Sequence, residues 1–250
     1  MQFKFLKKII GILGYKLVDK NLVKNNRLID KNNFFSINTI LEEIFKSQKI
    51  NQLIQIGAND GKRFDEINKY IKKYSPHCVL VEPIQLYFKQ LKENYKNHKN
   101  IIFEKLAISV DGEIQYLFKV KESKLKYYDE HIKGITSFDK RHLEKHGVNS
   151  SHIEKENVES ITIVELINKY EKKVDLLIID AEGYDGKIVL DLLQKSEKFP
   201  IIIFEFIHIK NQIFENLIDQ LKKKYSIYVL NENLICIPKE KKIKLSIDIN

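Results

Sequence analysis

Short unbroken runs of Ile, Leu and Val recur along this chain, and their alternation with helical segments limits the folds it can adopt. The runs are residues 53–56, 78–81, 101–106, 174–179 and 201–206. Each is continuous rather than alternating, as expected of strands covered on both faces. Between them, Phe64, Ile67, Tyr70 and Ile71 space as one helical face, and Leu86, Phe88, Leu91 and Tyr95 as a second. Ile188, Val189, Leu192 and Leu193 make a third, and Phe214, Leu217, Ile218 and Leu221 a fourth. Pro83, directly after Glu82, suits the first turn of a helix, where its missing N–H costs nothing. Strand–helix alternation of this kind predicts an α/β fold built on a doubly wound, mostly parallel sheet. Residues 226–230 and 234–238, separated by Asn231, Glu232 and Asn233, predict a hairpin closing the far edge.

Residues 119–157 break the alternation. The stretch is polar and holds four of the chain's seven histidines, His131, His142, His146 and His152. Long connections of this kind are usually lids or binding elements, so a partly helical insertion over the mouth of a site is expected. The composition marks no second domain. The expected organisation is a helical lead-in over 1–45 and one domain over 46–250, with 250 residues ample for a sizeable core. The start, MQFKFLKKIIGILGYKL, lacks a small-residue cleavage site. It fits a lead-in helix packed on the domain, and also a basic amphipathic helix touching a membrane surface. No run is long enough to suggest a transmembrane helix.

The net charge of +9 is nearly all lysine, with Arg27, Arg63 and Arg141 the only arginines. Nucleic-acid readers lean on arginine forks. Here the lysines are scattered among Asn and Ile, which reads as a solvated surface rather than a binding stripe, so no nucleic-acid partner is expected. Cys78 and Cys236 fall in strand-like segments far apart in the expected sheet. Two reduced, buried thiols fit a cytoplasmic protein.

The chemistry gathers at the ends of the apolar runs. In LIQIGANDG, residues 53–61, a buried run ends in Gly57, then Ala58, Asn59 and Asp60, then Gly61. Such a turn lets the backbone approach a nucleotide-like ligand. The next run ends in Glu82, near the position from which a dinucleotide-type fold reaches ribose hydroxyls, roughly 20 residues after the glycines. An adenosine-containing cofactor is therefore indicated before any reaction is. A nicotinamide site would want G-x-G-x-x-G, from which Ala58 and Asn59 depart; a NAD-dependent oxidoreductase is the runner-up reading. Further on, Asp180, Glu182 and Asp185 follow the run 174–179, and Glu205 sits in IIIFEFI, where an unpaired carboxylate would be costly. If these two runs are neighbours, Asp180, Glu182 and Glu205 converge, and His208 can join them. HLEKH places His142 and His146 on one helical face, but it is not the HExxH of zinc proteases. A solvated helix face is expected there, and no metal ligand is assigned.

Together, IGANDG, VLVEP, IIDAEGYD and IIIFE, with Gly134-Ile135-Thr136-Ser137-Phe138 between, resemble the FkbM-type family of S-adenosylmethionine-dependent methyltransferases, over about residues 52–208. The resemblance implies a class I methyltransferase (Rossmann-like) fold, a seven-stranded sheet with an antiparallel final hairpin. It also implies methyl transfer to oxygen, commonly on a sugar, glycan or natural-product hydroxyl. By that resemblance Gly57, Ala58, Asn59 and Gly61 surround the methionine portion of S-adenosyl-L-methionine, Glu82 and Pro83 lie at its ribose, Leu106 and Ala107 lie near its adenine, and Asp180 sits beside the sulfonium. Gln55 stands where many relatives carry an acid that orients the cofactor. The expected acceptor is a small molecule or glycan. Asp180 or Glu205 would be the base, with Glu182 and His208 orienting the acceptor; a divalent metal held by the acids is the alternative way to acidify a hydroxyl.

Overall fold

A computed structural model describes residues 36–63, 65–113, 115–170 and 173–241. The chain divides into two compact units, Met1–Ile40 and Leu41–Asn250. Most of the expected lead-in, and Phe64 of the first helical face, lie outside the described residues. The first described helix is α1 (Ile37–Ser47).

In the second unit the alternation is β1 (Gln52–Ile56), α2 (Asn68–Tyr74), β2 (His77–Val81), α3 (Gln85–Asn94), β3 (Ile101–Glu104) and β4 (Ala107–Ile108). There follow β5 (Gln115–Val120), α4 (Glu130–Gly134), α5 (Lys140–Lys145), β6 (Ile153–Val158), β7 (Ser160–Ile161) and α6 (Ile163–Lys169). The chain continues through β8 (Leu176–Ile179), α7 (Asp185–Lys195), β9 (Ile201–Glu205), α8 (Asn211–Lys224), β10 (Tyr225–Leu230) and β11 (Asn233–Pro238). One seven-stranded sheet carries the order β10-β11-β9-β8-β1-β2-β3. All neighbours pair in parallel except β11, antiparallel to both β9 and β10. The class I methyltransferase fold expected from the sequence is the fold observed.

The sheet interior explains the unbroken apolar runs. All five residues of β1 are buried, as are Cys78–Val81 of β2 and Ile201–Phe204 of β9. Fully buried Ile54, Val79, Leu177 and Ile202 pack with Ile188, Val189 and Leu192 of α7 and Leu217 and Leu221 of α8. Cys78 and Cys236 are buried free thiols on strands well separated in the sheet.

Three details differ from expectation. The third run ends at Glu104; the chain then leaves the sheet, and Ala107–Ile108 pairs with Ser160–Ile161 instead. Glu104 marks the exit, with its carboxylate 2.6 Å from Lys169 Nζ. Pro83 precedes its helix rather than entering it. The Ile84 amide bonds back to Glu82 at 2.8 Å, and α3 starts only at Gln85, whose N–H donates to Glu156. The insertion is framed by strand: β5 and β6 pair antiparallel from Gln115↔Val158 to Val120↔Ile153. Lys119 is buried in this ribbon and stays charged through Glu156 at 2.7 Å, Glu154 at 3.4 Å and Glu122 at 3.6 Å. Beyond the ribbon lie α4, α5 and two short 3-10 turns, held by a small core of Val120, Ile135, Leu143, Val148 and Ile153.

Candidate active site

Strand order reverses between β1 and β8, since the chain winds outward from β1 to β3 and returns to β8 on the other side. Ligands of open α/β sheets bind outside the carboxyl ends of the strands at such a reversal. Gly57 follows β1 there and Asp180 follows β8. The two backbones touch: the Asp180 N–H donates to Ile56 O at 3.0 Å, and a Cβ on Gly57 would lie 1.9 Å from Asp180 O. Gly57 also has φ +76°, so only glycine fits on both counts.

The turn that follows is held from β2. The Gly57 and Ala58 amides both donate to Val81 O at 3.0 Å, and the Asn59 amide donates to Glu82 Oε2 at 2.9 Å. Asp60 accepts from the Lys62 and Arg63 amides and from Arg63 Nε, closing the loop on itself. Gly57 and Glu82 thus share one end of the sheet. Glu82 is buried, with one backbone N–H on each carboxylate oxygen, and burial pushes its carboxyl up to about 7 despite those donors. Gln55 is buried behind the turn. Its amide donates to Asp65 Oδ1 at 3.3 Å, while Gln55 Oε1 and Asp65 Oδ2 have no partner among the described residues. Burial raises the Asp65 carboxyl to about 6, so this acid lies where Gln55 itself brings none. Leu106 and Ala107 are buried just past β3, at the same end of the sheet.

On the other side of the reversal, β8 and β9 run in parallel register, Ile179 beside Phe204, so Asp180 and Glu205 emerge next to each other. Asp185 is not aimed at a ligand. It is buried at the start of α7 and accepts from the Ala181 and Gly183 amides, which folds the 180–185 loop. Burial holds it up to about 7. The loop is tight enough to place Glu182, a non-glycine residue, at φ +48°, a conformation that concentrates at functional sites. Asp180 is solvent-exposed, with Glu182, Asp185 and Glu205 close around it. Burial first, then the charges of Glu182, Asp185 and Glu205, raise its carboxyl well above the usual range. Among the described residues no protein group donates a hydrogen bond to that carboxylate. Burial, with Glu182 and Asp185, brings Glu205 up to about 7, and the basic group facing it is His208, whose Nε2 lies at 3.8 Å.

The insertion supplies the roof. Asn59 Nδ2 donates to Gly134 O at 3.3 Å, Arg63 pairs with Glu130, and the Tyr87 hydroxyl donates to Lys133 O. Phe138 packs on Tyr184, ring centroids 4.7 Å apart. His142 Nε2 lies 2.9 Å from Glu182 Oε2. His142 is therefore not on a solvated helix face: its side chain is only 11 % exposed, and its ring meets those of His146 and His208. The sequence reading missed this contact because His208 is remote in the chain. HLEKH gave the spacing without the third ring.

A profile of the methyltransferase FkbM domain matches residues 55–227, well over half the chain. The chain belongs to the FkbM methyltransferase family. The family is one of methyltransferases, and the fold is that of enzymes using an S-adenosylmethionine-type cofactor. No curated protein is matched. Among solved structures, methyltransferase FkbM from Methylobacillus flagellatus KT is similar with a TM-score of 0.47 and 11% identity, over 74% of this chain and 43% of that one. The Methanococcus jannaschii fibrillarin pre-rRNA processing protein gives 0.40 and 12%, covering 76% and 67%. The human methyltransferase 10 domain containing protein gives 0.42 and 12%, covering 81% of each. This chain thus spans less than half the length of the first of these relatives, and the likenesses concern fold alone.

The site fits the cofactor of the family. Gly57 has no Cβ to block approach to the backbone, and each Glu82 oxygen keeps a lone pair for a ribose hydroxyl after accepting its one N–H. The cluster of Asp180, Glu182, Asp185 and Glu205 gives the negative surroundings that a sulfonium cation favours.

Proposed function

We propose that the chain is an S-adenosylmethionine-dependent O-methyltransferase acting on a hydroxyl of a sugar, a glycan or a related small molecule. The observation that carries this reading is the Asp180 carboxylate: exposed, without a protein donor among the described residues, and placed at the strand reversal beside Gly57. When bound, the cofactor supplies a methyl group on a positively charged sulfur, open to in-line displacement.

The chain's own residues supply position and proton transfer. The Gly57–Gly61 turn and Glu82 hold the methionine and ribose portions, and Leu106 and Ala107 flank the adenine. Asp180 accepts the acceptor's hydroxyl proton. An aliphatic hydroxyl is a poor nucleophile, and a positioned base contributes roughly 10²–10⁴-fold. A base is most effective when its pKa lies near the working pH, and burial among acids moves Asp180 in that direction. Glu182 and Glu205 orient the acceptor, and the loop of Asp180–Asp185 keeps the base from swinging away. The insertion, with Phe138 and the 121–152 segment, forms the acceptor side. Neither a nucleic acid nor a permanent protein partner is part of the proposal.

The test is an assay with labelled methyl donor against a panel of nucleotide sugars and surface glycans, with an RNA oligonucleotide as the contrasting arm. Asp180→Asn should lower turnover by about 10²–10⁴-fold while S-adenosylhomocysteine still binds in calorimetry. Full turnover in that variant removes Asp180 from the role, and transfer confined to RNA removes the carbohydrate acceptor.

A further inference from the structure

His142 and His146 lie one helical turn apart at the end of α5, and His208 lies just past β9, more than sixty residues on. The fold brings these rings together, with centroids 4.7 Å apart for His142–His146, 4.8 Å for His142–His208 and 5.3 Å for His146–His208. One nitrogen from each ring lies within 4.8 Å of the other two. All three side chains are half-buried rather than solvated. Carboxylates flank the trio: Glu182 Oε2 at 2.9 Å from His142 Nε2, and Glu205 Oε2 at 3.8 Å from His208 Nε2. A carboxylate hydrogen-bonded to a ring nitrogen, as Glu182 is to His142, is the usual support of a metal-binding histidine, since it fixes the tautomer and the ring orientation; Glu205 lies beyond hydrogen-bond distance of His208. The ring of His146 has no hydrogen-bonding partner among the described residues. Neither ring nitrogen is a buried orphan, so both stay open to a ligand arriving from solvent.

We propose that His142, His146 and His208 form a divalent transition-metal site on the acceptor side of the methyl-transfer centre, with coordination positions left open for acceptor oxygens. Three imidazoles favour a borderline ion such as Zn²⁺, as against Mg²⁺, which takes oxygen ligands. A tetrahedral ion with nitrogens at about 2.0–2.1 Å separates them by about 3.3 Å, so binding draws the rings inward by on the order of 1 Å. The ligands sit on a helix end and a loop, where side-chain rotation can supply that movement. Three protein ligands with a free position is also the ligand count of catalytic rather than structural zinc.

The site's place beside the acceptor follows from its neighbours. A Cβ on Gly183 would lie 3.3 Å from His208 Cβ, so the trio packs directly on the loop that carries Asp180 and Glu182. An ion there would bind a hydroxyl or a vicinal diol of the acceptor and aim it at the reaction centre. This placement rests on the methyltransferase reading given above; the ion binding does not.

The experiment uses the full chain, freed of metal with a chelator and titrated with Zn²⁺ by calorimetry, with Co²⁺ by visible absorption, and with Mg²⁺ as a contrast. About one Zn²⁺ or Co²⁺ per chain is expected, together with visible bands of nitrogen-ligated Co²⁺. His146→Gln and His208→Gln should each weaken binding tenfold or more with the melting temperature of the metal-free protein preserved. X-ray absorption of the Zn²⁺-loaded wild type should report three imidazoles. Absence of stoichiometric uptake, uptake that survives both substitutions, or fewer than two imidazoles around the ion overturns the proposal, and the last of these does not depend on how any variant folds. S-adenosylhomocysteine binding is measured in parallel. Loss of that binding with Zn²⁺ uptake intact counts against the cofactor reading and leaves the metal site standing; the reverse result separates them the other way.

Discussion

Glu82 has two backbone donors and no counter-charge among the described residues, and burial first, then the charge of Glu156, keeps its carboxyl near 7. Ribose hydroxyls donate to the ionised form, so cofactor binding should release a proton from it. Affinity for S-adenosylhomocysteine should therefore strengthen as pH rises towards 7, by up to about tenfold per pH unit, and flatten above it. Calorimetry across about pH 5.5–8 checks this, and a flat profile would remove Glu82 from ribose binding. Gly57 permits a second prediction. The methyl group of Gly57→Ala would strike Asp180 O, a backbone atom that cannot rotate away, at a φ hostile to alanine. The cost should be on the order of 1–3 kcal/mol, read from urea unfolding, with weakened cofactor binding; unchanged unfolding would mean the two strands can separate freely. At this scale the sequence was informative wherever a residue stood alone at a strand end, as Gly57, Glu82 and Asp180 do. It was silent on Asp60, whose capping of its own loop depends on local geometry. It also misplaced His142, whose surroundings come from distant parts of the chain.

Among the elements, the strands of the sheet were readable because burial on both faces leaves uninterrupted Ile, Leu and Val. The ribbon of β5 and β6 was not, since its burial is partial and its strands carry Lys119, Glu154 and Glu156, which look like a solvated loop until they pair. Helix α6 left a trace that went unread. Thr162-Ile163-Val164-Glu165 forms a capping box, with the Glu165 amide donating to Thr162 Oγ1 at 3.2 Å and the Thr162 amide to Glu165 Oε2 at 2.7 Å. Its apolar stripe, Ile163, Leu166 and Ile167, is fully buried, but it is too short to stand out beside the longer helices. Thr162→Ala should cost about 1 kcal/mol of stability, seen as a lower midpoint in denaturant at unchanged slope. An unaltered midpoint would mean that packing of the stripe alone holds the helix.

For the molecule as a whole, the strand order sets the electrostatics. Delivering β1, β2, β8 and β9 to one end collects Glu82, Asp180, Asp185 and Glu205 there, with Asp65 behind, all with carboxyls raised by burial. Between their ordinary pKa values, near 4, and about 7, the folded chain holds more protons than the unfolded one, so stability falls as pH rises through that window. His146 and His208, lowered by burial, act in the opposite sense but are fewer. The ligand-free chain should therefore melt at a higher temperature at pH 6 than at pH 8 in scanning calorimetry, and a higher melting temperature at pH 8 would contradict the raised acids. The ties that run from the insertion to the glycine turn, Asn59 to Gly134 and Arg63 to Glu130, with Tyr87 of α3 to Lys133 beside them, have a different implication. On the function proposed above, the segment on the acceptor side is fastened to the loop that holds the donor. An exchange of residues 121–152 between relatives, made to change which hydroxyl is modified, will retune donor affinity at the same time, and the two specificities of such an enzyme will have to evolve together.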